Sequence, residues 1–170
     1  MVTTTNYQSD DKKGRIIFRE FCNQQPSFIF NKESKKDFAK WDVSYTQKGT
    51  KFIGEIKVRD YNATAFGDWF LQSDKLEGLR ELQKLNPDTK ISYINIFNDN
   101  LTYIWNLDDI DWSNIKQGVL QLQKNDYEEE LVWKTVYYLP HLLAQKFETD
   151  LNKTIFTSIQ ENDDDLDLGF

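Results

Sequence analysis

The sequence predicts one mixed α/β domain, and three features carry that expectation. A short helix-periodic stretch leads the globular part. A β-hairpin between Trp41 and Arg59 follows it, and then come an apolar helix and a second hairpin. No internal repeat and no long linker divides the 170 residues, a length that suits one domain with a real core. The expected boundaries are a flexible N-terminus over 1–12, a globular domain over 13–160 and a disordered acidic tail over 161–170.

Each element has its own signal. Residues 13–24 place Ile16, Ile17, Phe18, Phe21 and Cys22 at helical spacing, and Gln25-Pro26 ends that helix. Ser27 to Asn31 reads as a first strand, and Glu33 to Ala39 as a basic loop or helical turn. After the hairpin, Asp60-Tyr61-Asn62 breaks the strand, and Thr64 or Asp68 caps a helix expected to run to about Leu85. Phe66, Trp69, Phe70, Leu76, Leu79 and Leu82 supply its buried side, and Asn86-Pro87-Asp88 stops it. ISYINIF and LTYIWNL, joined by Asn98-Asp99-Asn100, read as the second hairpin. Further on, a short turn or helix is expected over Asp108 to Ile115, strands near Gly118–Lys124 and Leu131–Tyr138, and a last helix from Pro140 to Lys153.

Composition narrows the chemistry. With 39% hydrophobic, 29% charged and 15% aromatic residues, the body should be globular and water-soluble. No apolar run is long enough to span a bilayer, and the first residues lack the apolar stretch of a secretory signal. A cytoplasmic setting, with no membrane partner, is therefore expected. A single cysteine, Cys22, excludes an intrachain disulfide and a cysteine zinc site. With His141 the only histidine, any metal site must be built mostly from carboxylates, which favours Mg²⁺ or Mn²⁺. The net charge of −7 hides an asymmetry, since residues 1–60 carry +4 and the rest −11. The basic excess surrounds the hairpin and includes Lys40, Lys57 and Arg59, so phosphate binding is permitted there.

Lys48-Gly49 is a plausible two-residue turn. It sets residues whose numbers sum to 97 opposite each other. Trp41 then faces Ile56, Val43 faces Gly54 and Tyr45 faces Phe52, giving an apolar face. The other face sets Lys40 against Lys57, Asp42 against Glu55 and Ser44 against Ile53. Like charges directly opposed, about 5 Å apart at Cβ, are destabilising, and a divalent cation between two carboxylates is the simplest remedy. Lys57, two residues after Glu55, points to the same side. The bland alternative is a solvated strand face carrying ordinary ion pairs.

Asp42, then twelve residues, then Glu55-Ile56-Lys57, with GEIKVRD following a helix and two strands, resembles the PD-(D/E)xK nuclease superfamily over about residues 13–105. Trp41 stands where that family often has proline. The resemblance implies a restriction-endonuclease-like mixed sheet flanked by helices, in a single domain. It implies a Mg²⁺-dependent (or Mn²⁺-dependent) nuclease acting on DNA, in bacterial or phage-infected cells. Asp42 and Glu55 would hold the metal, with the Ile56 carbonyl and a first-helix glutamate, for which Glu20 is the candidate. Lys57 would orient or deprotonate the attacking water, or stabilise the phosphorane-like oxygens. Gln72, interrupting the apolar stripe of the expected second helix, and Lys75, one turn on, are candidates to contact that water or the scissile phosphate. Arg59 and Lys40 are candidate DNA contacts. The small size leaves a homodimer or a partner to supply the remaining grip on DNA.

The acidic run ending in Leu168-Gly169-Phe170 is similar in style to the C-terminal tips of single-stranded-DNA-binding proteins. That likeness implies docking on a replication or repair protein through Phe170. It also frames a rival reading, in which the chain is a non-catalytic single-stranded-DNA-binding accessory that recruits partners through residues 161–170. A structural or assembly protein is a third reading, without a positive sign of its own.

Overall fold

The computed structural model describes residues 5–35, 39–125 and 128–150, with the backbone alone described for 5–11. Its organising strand is β3 (Thr50–Arg59), joined to β2 (Val43–Gln47) by a tight turn in which Lys48 and Gly49 both have positive φ, 48° and 81°. That is the backbone a type I′ hairpin turn demands. The expected register is the observed one from Val43↔Gly54 through Tyr45↔Phe52 to Gln47↔Thr50. β1 (Phe28–Glu33) pairs antiparallel with β2 on the far side.

Alternation along β3 then decides the layers. Its even residues, Phe52 and Ile56, join Val43 and Tyr45 beneath α1 (Thr5–Gln24), where Ile17, Phe18, Phe21 and Cys22 are buried. Phe18 meets the Tyr45 ring edge-on at 5.1 Å. Gly14 lets α1 approach closely, since a Cβ there would stand 3.1 Å from Ile56 Cγ2. Ile16, expected in this stripe, is instead 40% exposed. The odd residues of β3 face the opposite layer, where Ile53 packs in a second core with Leu76 and Leu79 of α2 (Ser73–Leu85).

The chain returns from α2 as β5 (Lys90–Phe97), the parallel neighbour of β3, and β6 (Leu101–Asn106) continues antiparallel. The helix, three antiparallel strands, second helix and parallel strand follow the order expected of a restriction-endonuclease-like domain. It is a mixed sheet flanked by two helices. No helix among the described residues is long and apolar enough to cross a membrane.

Several elements differ from expectation. Residues 68–72 form a strand, β4 (Asp68–Gln72), and not the start of the helix. Trp69 and Leu71 are buried at strand spacing, and β4 pairs with β8 (Glu128–Pro140), which is itself paired with β7 (Lys116–Asn125). A second, three-stranded sheet results. A short apolar run such as WFL fits helix and strand alike, and its strand partner lies far away in the chain. Phe66, expected on the helix's buried side, is 51% exposed in the loop before β4. The helix expected from Pro140 is a single 3-10 turn (His141–Leu143) followed by β9 (Gln145–Glu148). β9 closes the edge of β6 and sets Phe147 5.3 Å from Phe21 and 5.2 Å from Phe28. The first helix begins at Thr5, within the stretch expected to be flexible, while 151–160 and the acidic tail 161–170 lie outside the described residues.

Lys48 occupies left-handed backbone that asparagine tolerates better. Lys48→Asn should therefore raise stability by roughly 0.5 kcal/mol, measured by urea unfolding. A lower midpoint would contradict the turn geometry.

Candidate active site

Because Glu55, Lys57 and Arg59 are odd-numbered on β3, all three project toward α2 and β4. They line a cavity of about 180 Å³ with Phe70, Gln72, Lys75 and Tyr93. Glu55 is only 3% exposed. Its Oε1 lies 3.6 Å from Lys57 Nζ and 3.5 Å from Lys75 Nζ, so two ammonium groups from different elements converge on one carboxylate. Lys75 reaches it because α2 starts at Ser73, which places this side chain in the first turn, over β3.

Asp42 sits where the hairpin ladder stops. Its N–H donates to the Gly54 carbonyl at 2.9 Å, and its Oδ2 accepts the Ile56 N–H at 2.7 Å. In a continued ladder the Ile56 N–H would go to the carbonyl of Trp41. The carboxylate takes that place, and the chain turns away. The expected pairs Trp41–Ile56, Lys40–Lys57 and Asp42–Glu55 are therefore not rungs of the ladder, which ends at Val43↔Gly54. Trp41 packs against the second core instead, with the Lys32 ammonium 5.6 Å from its ring centroid. Lys40 lies over α2 and forms an exposed ion pair with Glu81.

The electrostatics of Glu55 follow from burial. Desolvation, reinforced by the nearby Asp42 charge, pushes its carboxyl up from 4.5 to about 7, against the opposing pull of Lys57 and Lys75. A buried carboxylate whose ionisation is opposed both by desolvation and by a second negative charge invites a cation. Among the described residues no cluster of three or more His, Cys, Asp or Glu side chains forms. A site of two carboxylates and the Ile56 carbonyl fits a Mg²⁺-like ion, which keeps several waters and takes substrate oxygens as further ligands. It does not fit an all-protein cage.

The other sequence candidates take varied places. Gln72 is the last residue of β4 and the N-cap position of α2, where its Oε1 accepts from Lys134 Nζ at 3.1 Å. Arg59 is held by Asn95 Oδ1 at 2.6 Å and the Tyr93 hydroxyl at 2.7 Å, with its guanidinium 5.5 Å from the Trp69 ring centroid. That anchoring ties β3 to β5 and β4 while leaving Arg59 on the cavity wall. Glu20 interacts with Asn23 and Gln24 on its own helix, at 3.4 Å in each case. The α1 side chain that reaches the site is Arg15, whose Nη2 is 3.5 Å from Asp42 Oδ1. Arg15 stands next to Gly14, the point of closest helix–strand approach. Phe170 lies outside the described residues.

Tyr93 and Lys134 were not singled out by the sequence, and Arg15 entered only as one of the basic residues around the hairpin. A glycine followed by arginine in a helix is a faint signal for Arg15. Nothing in the sequence marks Lys134, since its position depends on the pairing of β4 with β8.

No family model and no curated protein sequence matches the chain. Among solved structures, the chain is similar to that of Archaeoglobus fulgidus Hjc, a Holliday junction resolvase from an archaeal hyperthermophile. The TM-score is 0.47 and the identity 10%, over 75% of this chain and 91% of that one.

Glu55 has a pH signature. Its folded pKa of about 7 lies above its ordinary 4.5, so within that window the native state keeps a proton that the unfolded chain has lost. Stability from this group is therefore greatest below pH 4.5 and falls as pH rises through 7. Glu55→Gln, which mimics the protonated form, should stabilise the metal-free protein at pH 8 by on the order of 2 kcal/mol, and much less at pH 4. Chemical denaturation at both pH values measures it. Equal effects at the two would contradict a raised pKa.

Proposed function

We propose that the chain is a Mg²⁺- or Mn²⁺-dependent nuclease that hydrolyses DNA phosphodiester bonds, in bacterial or phage replication, recombination or repair. The observation that carries this reading is the convergence of Lys57 and Lys75 on the buried Glu55 at the wall of one cavity, with the Asp42 charge near enough to raise the cost of ionising it. Asp42, Glu55 and the Ile56 carbonyl would hold the ion. When bound, it would lower the pKa of a water and offset charge on the phosphate.

The remaining work belongs to side chains of this chain. Lys57, an ammonium donor beside the carboxylate, is placed to orient the attacking water and to stabilise the oxygens of the pentacovalent phosphorus. Lys75 adds a second positive charge from α2, where a phosphate oxygen would otherwise meet the Glu55 carboxylate. Arg15 balances Asp42 from the α1 side, which leaves the cavity side for the substrate. Phe70 and Tyr93 narrow the cavity and limit water, which strengthens each of these interactions. Arg59, held rigidly, lends positive potential for the next phosphate along the strand.

Lys57→Ala should reduce cleavage of DNA in Mg²⁺ by at least about a hundred-fold. Its melting temperature and its DNA affinity in EDTA should stay near wild type. Full cleavage by the variant, or by wild type in EDTA, would remove the proposal.

One observation favours a second reading. Glu55 already has two ammonium partners within 3.6 Å, so this chain's own lysines supply part of the positive charge that a metal would otherwise bring. On this reading the chain is a single-stranded-DNA-binding accessory that recruits a replication or repair protein through residues 161–170 and Phe170. Deleting 161–170 should then abolish recruitment in a pull-down with that partner, and metal should have no effect. Metal-dependent cleavage would exclude this reading as the whole function.

A further inference from the structure

The second sheet brings Lys134 to the edge of the cavity. It lies two residues from Val136, the β8 partner of Gln72, and so is the diagonal neighbour of Gln72 across the β4–β8 pair. Alternation along β8 turns Trp133 outward, where it is 70% exposed, and leaves the Lys134 side chain only 16% exposed. The Lys134 ammonium donates to Gln72 Oε1 at 3.1 Å and lies 3.5 Å from Asp74 Oδ2.

An ammonium group can only donate, so this contact fixes which end of the Gln72 amide is which. Lys134 takes one lone pair of the oxygen and its positive charge disfavours a metal cation at the other, so the NH₂ is the end turned to a ligand. Gln72 lines the cavity beside Glu55, Lys57 and Lys75. Metal ions are bound by amide oxygen, whereas phosphate oxygens are bound by amide N–H. A polarised amide whose oxygen receives a cation's hydrogen bond is also a stronger donor. The Asp74 carboxylate holds Lys134 from the other side and keeps it over the amide.

We propose that Lys134 is a positioning residue that commits Gln72 to donating to a phosphate oxygen of the substrate, and not to ligating a metal. This rests on the nuclease reading for its substrate. It adds a function to the second sheet, whose strand β8 sets an ammonium behind the cavity-lining Gln72.

Two measurements test it. The first follows the ¹⁵N–¹H resonances of the Gln72 side-chain amide as a short DNA duplex with a single-stranded overhang is added in EDTA, where no cleavage occurs. The resonances should shift in wild type, shift much less in Lys134→Met, and shift again in Lys134→Arg. The second is steady-state cleavage in Mg²⁺. Lys134→Met should lower kcat on the order of ten-fold with a smaller change in KM, and should cost nothing further in a Gln72→Ala background. Gln72 resonances that ignore DNA in wild type would overturn the inference. So would a Lys134→Met loss that is undiminished when Gln72 is already alanine. A wild-type protein whose Gln72 amide shifts with DNA but which never cleaves would support the phosphate contact and overturn the nuclease reading. A protein that does not bind DNA would overturn both.

Discussion

Strand β3 has to serve two layers at once, and the rest of the molecule depends on how its alternation resolves that demand. Its even residues are committed to the aromatic core under α1, so its odd residues have no choice of side. Glu55, Lys57 and Arg59 must emerge together on the face covered by α2 and β4. A one-residue slip would bury these charges under α1 and set Phe52 and Ile56 among the polar groups beneath α2 and β4, at a cost no ion pair could offset. Register is thus held by hydrophobic burial, and the site inherits its geometry from that burial.

The same constraint explains the unusual charge balance. Burying Glu55 on an interior strand raises the cost of its ionisation, and Asp42 raises it further. Lys57 comes from the same strand and Lys75 from the helix that the crossover lays above it. The two cations do not fully compensate, which leaves a carboxylate that would gain from one more positive charge. Asp42 is restrained in a different way, by a backbone N–H on one oxygen and Arg15 near the other. Its carboxylate therefore both ends the β2–β3 ladder and stays beside Glu55.

Legibility in the sequence followed the range of the interactions. The hairpin could be read because its register is local, set by a Lys48-Gly49 turn and by apolar residues at period two on both sides of it. The pairing of Glu55 with Lys57 came with it. The end of the ladder at Asp42 was not legible, because a side chain there substitutes for a backbone acceptor, and periodicity carries no trace of that exchange. Residues 68–72 were misassigned for a related reason. Trp69 and Leu71 fit either a helix or a strand until β8 arrives to pair with them. Lys134 reaches Gln72 only through that long-range pairing, and Arg15 reaches Asp42 only because Gly14 lets two elements touch. The fold's core was written in local pattern, while half of the cavity wall was written in contacts between distant segments.

The central claim is that Asp42 and Glu55 together hold one cation beside β3. Calorimetric titration of the metal-free protein with Mn²⁺, at pH 8 and again at pH 6, tests it most directly. The account predicts saturable binding at pH 8, weaker binding at pH 6 as Glu55 takes up its proton, and no binding by Asp42→Asn at either pH. Binding that is unchanged by Asp42→Asn, or that is as tight at pH 6 as at pH 8, would contradict it.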